Sequence, residues 1–166
     1  MPTHGRLGPV TGTLHTFGYQ GLGGADDLRR LLEGTDIETI VDVRLSVWSG
    51  NRAFSLRTRD TVEGIGLRYV GMRALGNLAY KTGGIQIADI EAIEVVLEYL
   101  RTPANVALMC VCALPDHCHR LALCEEAVRR MPDLRVVHLT RPAAFLSADA
   151  TDEQIEAFTD ALLPMP

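Results

Sequence analysis

The stretch Asn105-Val-Ala-Leu-Met-Cys-Val-Cys-Ala-Leu-Pro-Asp-His-Cys-His-Arg-Leu-Ala-Leu-Cys124 decides how the chain folds. Residues 106–109 are a continuous apolar run, the pattern of a strand covered on both faces. Pro115 and Asp116 break that run, and Asp116 is suited to cap a helix over residues 117–130. This reading puts Cys118, His119 and Arg120 in the first helical turn. There, unpaired backbone N–H groups and the positive end of the helix dipole favour a thiolate or a bound anion. A strand, a loop and a helix start together make the kind of junction at which open α/β sheets bind their ligands.

Working outward, residues 88–100 carry Ile90, Ile93, Val96, Leu97 and Leu100 at helical spacing, with Asp89, Glu91, Glu94 and Glu98 opposite. Thr102-Pro103 ends that helix. Residues 134–139 read as a last parallel strand with His138 near its end, and residues 151–163 as an acidic final helix. Toward the amino terminus, residues 13–19 predict a first strand and residues 25–33 a short helix ended by Gly34. Residues 37–43 predict a buried second strand, whose end carries Asp42 and Arg44 on one face; a buried carboxylate needs a partner, and Arg44 is near enough to be it. A loop over 46–54 holds Trp48 and Arg52, followed by a helix near 55–63 and a short strand at 67–70. Residues 1–12, rich in Gly and Pro, predict a flexible arm, and residues 13–166 a single domain. Alternating strands and helices predict an α/β three-layer sandwich with a mainly parallel sheet of four or five strands. Strand ends at 19, 43, 112 and 139 then share one edge.

Composition narrows the class. With 166 residues the chain is long enough for one hydrophobic core, and 47% hydrophobic against 22% charged residues is ordinary for a globular protein. No apolar run reaches the roughly 18 residues that span a bilayer, and residues 1–20 lack the basic and apolar regions of a secretory signal. We expect no membrane partner and a cytoplasmic location. All four cysteines fall between positions 110 and 124. On a regular strand Cys110 and Cys112 point the same way but too far apart for a relaxed disulfide, which fits a reducing compartment. The net charge of -5 argues against wrapping a long nucleic acid, although six arginines lie between positions 44 and 73 against Asp60 and Glu63.

Three chemistries suit the residues gathered at that edge. In the first, Cys118 is a nucleophile, His119 and Asp42 serve acid–base roles, and Arg44, Arg52 and Arg120 clamp a phosphate or carboxylate, with Cys110, Cys112 and His138 lining the site. In the second, Cys110, Cys112, Cys118 and His119 hold a metal, although they lack the usual Cys-x2-4-Cys knuckle and strand-borne Cys110 sits at an unfavourable depth, so no metal ligand is assigned. In the third, Trp48, Phe54 and Tyr69 with the basic segment bind a nucleotide or single-stranded end without turnover. No cofactor is specified by the sequence.

The order Thr16-Phe-Gly-Tyr19, Val41-Asp-Val-Arg44, Arg52-Ala-Phe54, Gly66-Leu-Arg-Tyr69, Leu75-Gly76, Leu108-Met-Cys110, Pro115-Asp-His-Cys118-His-Arg120 and Val137-His138-Leu139 resembles the bacterial family called domain of unknown function 488. The resemblance spans about residues 13–140. It implies a small cytosolic α/β protein of unassigned activity, conjecturally tied to nucleotide or nucleic-acid metabolism. The site it implies comprises Asp42, Arg44, Arg52, Cys110, Cys118, His119, Arg120 and His138. This chain departs from the pattern where many members have Cys-x-Glu and it has Cys110-Val-Cys112, which removes a carboxylate. It also has Asn51 before Arg52 and Asn77 after Leu75-Gly76.

Overall fold

The computed structural model describes residues 11–140. Its elements are β1 (Leu14–Gly18), α1 (Ala25–Leu31), β2 (Ile37–Asp42), α2 (Thr58–Glu63), β3 (Arg68–Gly71), α3 (Ile93–Leu100), β4 (Asn105–Cys110), α4 (His119–Arg130) and β5 (Val136–His138). The five strands form one parallel sheet in the order β3-β2-β4-β1-β5. The apolar run of β4 accounts for its central position: from Val106 to Cys110 every residue is buried, as a strand covered on both faces requires.

Two apolar layers cover the sheet. On one face Val41, Val43 and Leu108 pack with Ile93, Val96, Leu97 and Leu100 of α3 and Leu123 and Ala127 of α4. On the other, Phe17, Ile40 and Met109 pack with Leu28 and Leu31 of α1 and Val62 of α2. Neighbours along a strand point to opposite faces, so each central strand feeds both layers. The α/β architecture expected from the alternation is present, with a helix layer on each side.

Three local differences bear on the site. The helix α4 starts at His119, not 117: Cys118 is its N-cap in extended conformation (φ -117, ψ 141), and Asp116 lies in a turn closed by the Cys118 N–H donating to the Pro115 carbonyl at 2.9 Å. The strand β4 ends at Cys110, so Cys112 belongs to the loop and is free of strand geometry. That loop lies so close to β1 that a Cβ on Gly18 would sit 1.7 Å from the Cys112 carbonyl oxygen; only glycine fits there.

The two asparagine departures have structural roles. The Asn77 side chain donates to the Gly84 carbonyl and accepts from the N–H groups of Ala79 and Gln86, stapling that loop. Asn51 donates to the Leu22 carbonyl at 2.6 Å and accepts from the Ala53 N–H, tying the loop after β2 to the loop after β1. Of the expected N-terminal arm, residues 1–10 lie outside the described residues, while the Gly12 N–H donates to the Leu100 carbonyl. The expected helix at 151–163 also lies outside them. Among the described residues, no helix is long and apolar enough to cross a membrane.

Candidate active site

Because all five strands are parallel, their carboxyl ends share one edge. The chain leaves β2 toward α2 on one face and leaves the adjacent β4 toward α4 on the other. In open parallel sheets ligands bind where neighbouring strands send their loops to opposite faces, and here that condition holds on both sides of β4, toward β2 and toward β1.

On the α3/α4 face, at the carboxyl end of β4, three sulfurs converge. The Sγ atoms of Cys110, Cys112 and Cys118 all lie within 4.8 Å of one another. Cys110 and Cys118 are buried and Cys112 is half-buried, and none of the three forms a disulfide. The sequence expectation that Cys110 and Cys112 stand apart fails because Val111 bends the chain off the strand, returning Cys112 toward Cys110. The imidazole of His119 closes the group: Nδ1 is 3.7 Å from Cys110 Sγ and 3.9 Å from Cys118 Sγ. Its Nε2 lies 2.9 Å from the Val43 carbonyl oxygen, which only accepts, so Nε2 carries the hydrogen and donates. In the neutral ring, Nδ1 then presents its lone pair to the sulfurs.

Arg120, 1% exposed, lies beneath them. Its Nε–H donates to Cys118 Sγ at 3.3 Å and its Nη2 to the Cys112 carbonyl at 2.8 Å. Among the described residues, its Nη1 has no hydrogen-bond partner. Hydrogen bonding from Cys110 and then Cys112, ahead of His119 and the Arg120 backbone, holds the Cys118 thiol far below the usual thiol range despite its burial. For Cys110 the bond with Cys112 pulls downward, but the bond to Cys118 and burial together push it up to about 11. Hydrogen bonding to Cys110 and then to Cys118, with burial, drives Cys112 strongly upward. Of the three sulfurs, Cys118 is the one whose surroundings favour the thiolate. Cys124, one turn further along α4, is pushed up to about 12 by burial and belongs to the core.

No protein-family model, no curated protein and no solved structure matches the chain.

Asp42 and Arg44 do not join the thiols. They face the α1/α2 side, packed among Tyr19, Phe54 and Thr58, with the sheet between them and the sulfurs. Arg44 Nε donates to Asp42 Oδ1 at 2.8 Å and Nη2 to Oδ2 at 2.5 Å, a bidentate pair whose side chains are 3% and 1% exposed. The remaining guanidinium hydrogens reach the Phe54 carbonyl at 2.5 Å, Thr58 Oγ1 at 3.0 Å and Tyr19 Oη at 3.3 Å. Tyr69 donates its hydroxyl hydrogen to Asp42 Oδ2 at 2.7 Å. The partnership read from the sequence is present, but it leaves Arg44 no hydrogen for a ligand and Asp42 no freedom to move a proton. This is a structural node, in place of the expected acid–base and clamp roles.

Arg52 is exposed and makes no side-chain hydrogen bond or ion pair among the described residues. His138, at the end of β5, pairs through Nδ1 with Thr16 Oγ1 at 2.7 Å, and burial, then the Arg120 charge, lower its pKa. The stacking platform fails: Phe54 is wholly buried and stacks on Tyr19 (centroids 4.8 Å apart), Tyr69 serves Asp42, and Trp48 is 74% exposed. Sequence reasoning missed Thr16, Tyr19 and Thr58, whose hydroxyls matter only through contacts with distant segments. A concavity of about 550 Å³ lined by Arg29, Arg30, Asp36 and Leu67 lies at the amino end of the sheet, away from the thiols.

Proposed function

We propose that the protein is a cysteine-dependent enzyme acting on a phosphate-bearing ligand, a nucleotide or a nucleic-acid end. The observation that carries this reading is Arg120: a buried guanidinium that stabilises the Cys118 sulfur through Nε while its Nη1 has no hydrogen-bond partner among the described residues. Cys118 is the nucleophile. His119, held by Nε2 on the Val43 carbonyl, presents Nδ1 to the Cys118 sulfur and is placed to exchange a proton with the bound group. Arg120 Nη1 with the N-terminus of α4 binds the anionic group. Half-buried Cys112 lines the approach, since Cys118 is only 1% exposed. Asp42 and Arg44 hold the adjacent strand end and take no part in the reaction.

The same residues support membership of the domain of unknown function 488 family, and the free thiols fit a cytosolic setting, to which we assign the protein. The test combines a thermal-shift panel of nucleotides and inorganic phosphate with mass-spectrometric detection of turnover. We expect stabilisation by at least one phosphate compound, lost in Arg120→Met. Cys118→Ser should abolish turnover while keeping the shift. A shift that survives Arg120→Met, or no shift anywhere in the panel, would overturn the anion site. Ligand binding without turnover in the wild type would leave a binding module.

A further inference from the structure

The thiol centre has a second use that goes beyond the nucleophile reading and does not depend on it. The geometry points to a mononuclear site for a soft divalent cation of the zinc type, with Cys110, Cys112 and Cys118 as sulfur ligands and His119 Nδ1 as the fourth donor. A tetrahedral ion with metal–sulfur bonds of about 2.3 Å and a metal–nitrogen bond of about 2.0 Å sets its sulfurs about 3.8 Å apart and its nitrogen about 3.5 Å from each sulfur. The three sulfurs already lie within 4.8 Å of one another. His119 Nδ1 stands 3.7 Å and 3.9 Å from two of them, close to the nitrogen–sulfur edge of such a tetrahedron.

Two independent features suit a metal. First, a ligating imidazole typically donates its outer N–H to a carboxylate or backbone carbonyl, which fixes the tautomer and raises the basicity of the inner nitrogen. His119 makes that bond to the Val43 carbonyl at 2.9 Å, through the end of the neighbouring strand. Second, three thiolates and one divalent cation leave a net charge of -1, and burial of that charge calls for a cation nearby. Arg120 supplies it, with Nε 3.3 Å from Cys118 Sγ and the guanidinium 1% exposed. The depth objection drawn from the sequence disappears because the ligands come from three kinds of position: a strand end, a loop and a helix N-cap. Cys112, the half-buried member, gives an ion its entry path.

In the metal-bound state all three sulfurs are thiolates, so Cys118 is a ligand and is shielded from alkylation. The metal-free state is the one in which it reacts. The experiment uses the full-length chain, reduced and stripped of metal, titrated with cobalt(II) and competed with zinc. The expected result is one equivalent bound, with sulfur-to-cobalt charge-transfer absorption and the intense visible bands of tetrahedral cobalt, all displaced by zinc. Cys110→Ser, Cys112→Ser and Cys118→Ser should each weaken zinc binding at least 100-fold, while Cys124→Ser leaves it unchanged. Should a variant fail to fold, wild-type protein answers alone: one equivalent of zinc should protect Cys110, Cys112 and Cys118 from N-ethylmaleimide in peptide mapping. Absence of the cobalt signature, or protection at other positions, overturns the proposal. Fast alkylation of Cys118 that zinc does not slow would sink the metal site and leave the thiolate reading standing; an inert Cys118 in the metal-free protein would remove the thiolate reading by itself.

Discussion

Replacing Arg44 by alanine is the sharpest test of the division between the two polar centres. The substitution leaves the Asp42 carboxylate, 1% exposed, with only the Tyr69 hydroxyl at 2.7 Å and the residue-44 backbone N–H at 3.1 Å. It also strands the Phe54 carbonyl and removes the cation stacked 5.0 Å from the Tyr19 ring centroid. Removing one member of a buried ion pair costs about 3–5 kcal/mol, because the remaining charge stays desolvated. At about 2–4 °C per kcal/mol for a domain of this size, the melting temperature should fall by about 6–20 °C. The pairing of Asp42→Asn with Arg44→Met removes both charges and should cost less than the sum of the single changes, with a coupling of about 1–3 kcal/mol. Urea denaturation of wild type, Arg44→Ala, Asp42→Asn, Arg44→Met and the double variant, followed by far-UV circular dichroism, measures each value. A loss below about 1 kcal/mol for Arg44→Ala would refute the structural node, since an exchangeable anion clamp costs little when removed from a surface.

Other expected outcomes follow from single positions. Gly18→Ala introduces a methyl group that would lie 1.7 Å from the Cys112 carbonyl oxygen, so the loop after β4 must move; the variant should melt lower than wild type and lose selective alkylation of Cys118, both read by calorimetry and peptide mapping. Leu97→Ala empties a fully buried position between α3 and the sheet and should cost about 2–5 kcal/mol in urea titration, whereas Val95→Ala, 46% exposed, should stay within about 0.5 kcal/mol. Burial, aided by the Arg135 charge, lowers the His15 pKa, and its Nδ1 has no hydrogen-bond partner among the described residues. The unfolded chain therefore gains a proton at this position that the native state refuses, and the stability present above pH of about 6.5 declines as pH falls below it. His15→Gln should flatten the dependence of the unfolding midpoint on pH in that window; an unchanged slope would count against it.

The sequence made periodic elements legible and long-range partnerships much less so. The three- and four-residue spacing of Ile93, Val96, Leu97 and Leu100 predicts α3, and the unbroken apolar run of β4 predicts its central burial; both are local patterns that tertiary contacts reinforce. The strand order is less accessible, because β1 is inserted between β4 and β5 and nothing local to any strand records its neighbours. The start of α4 differs from the capping pattern for a local reason: Asp116 has good capping chemistry, but Pro115 and the bond from the Cys118 N–H absorb it into the preceding turn. The roles of Arg44 were half legible. Alternation gives its shared face with Asp42, while its saturation depends on Tyr19, Phe54 and Thr58, which come from two other segments. Convergence of the three sulfurs depends on one bend at Val111, for which no sequence pattern was available.

The alternation that separates the two centres also connects them. Asp42 turns its side chain to the α1/α2 layer, and the next residue, Val43, turns its side chain to the α3/α4 layer while its carbonyl receives the His119 Nε2 hydrogen. The anchor of the imidazole is thus a backbone atom, which no side-chain change at position 43 deletes. What fixes that atom in space is the end of β2: the Val43 N–H donates to the Met109 carbonyl, the Met72 N–H donates to the Asp42 carbonyl, and the bidentate pair clamps Asp42 to Arg44 across Val43. A buried ion pair contributes little net stability over apolar residues of similar shape, so its value here lies in geometry. It holds the strand end against Phe54 and Thr58 on one face, and through Val43 it sets the orientation of the ring that meets Cys110 and Cys118 on the other. On that reasoning Asp42 and Arg44 act on the thiol centre as positioning residues, through the sheet, without touching whatever the centre binds.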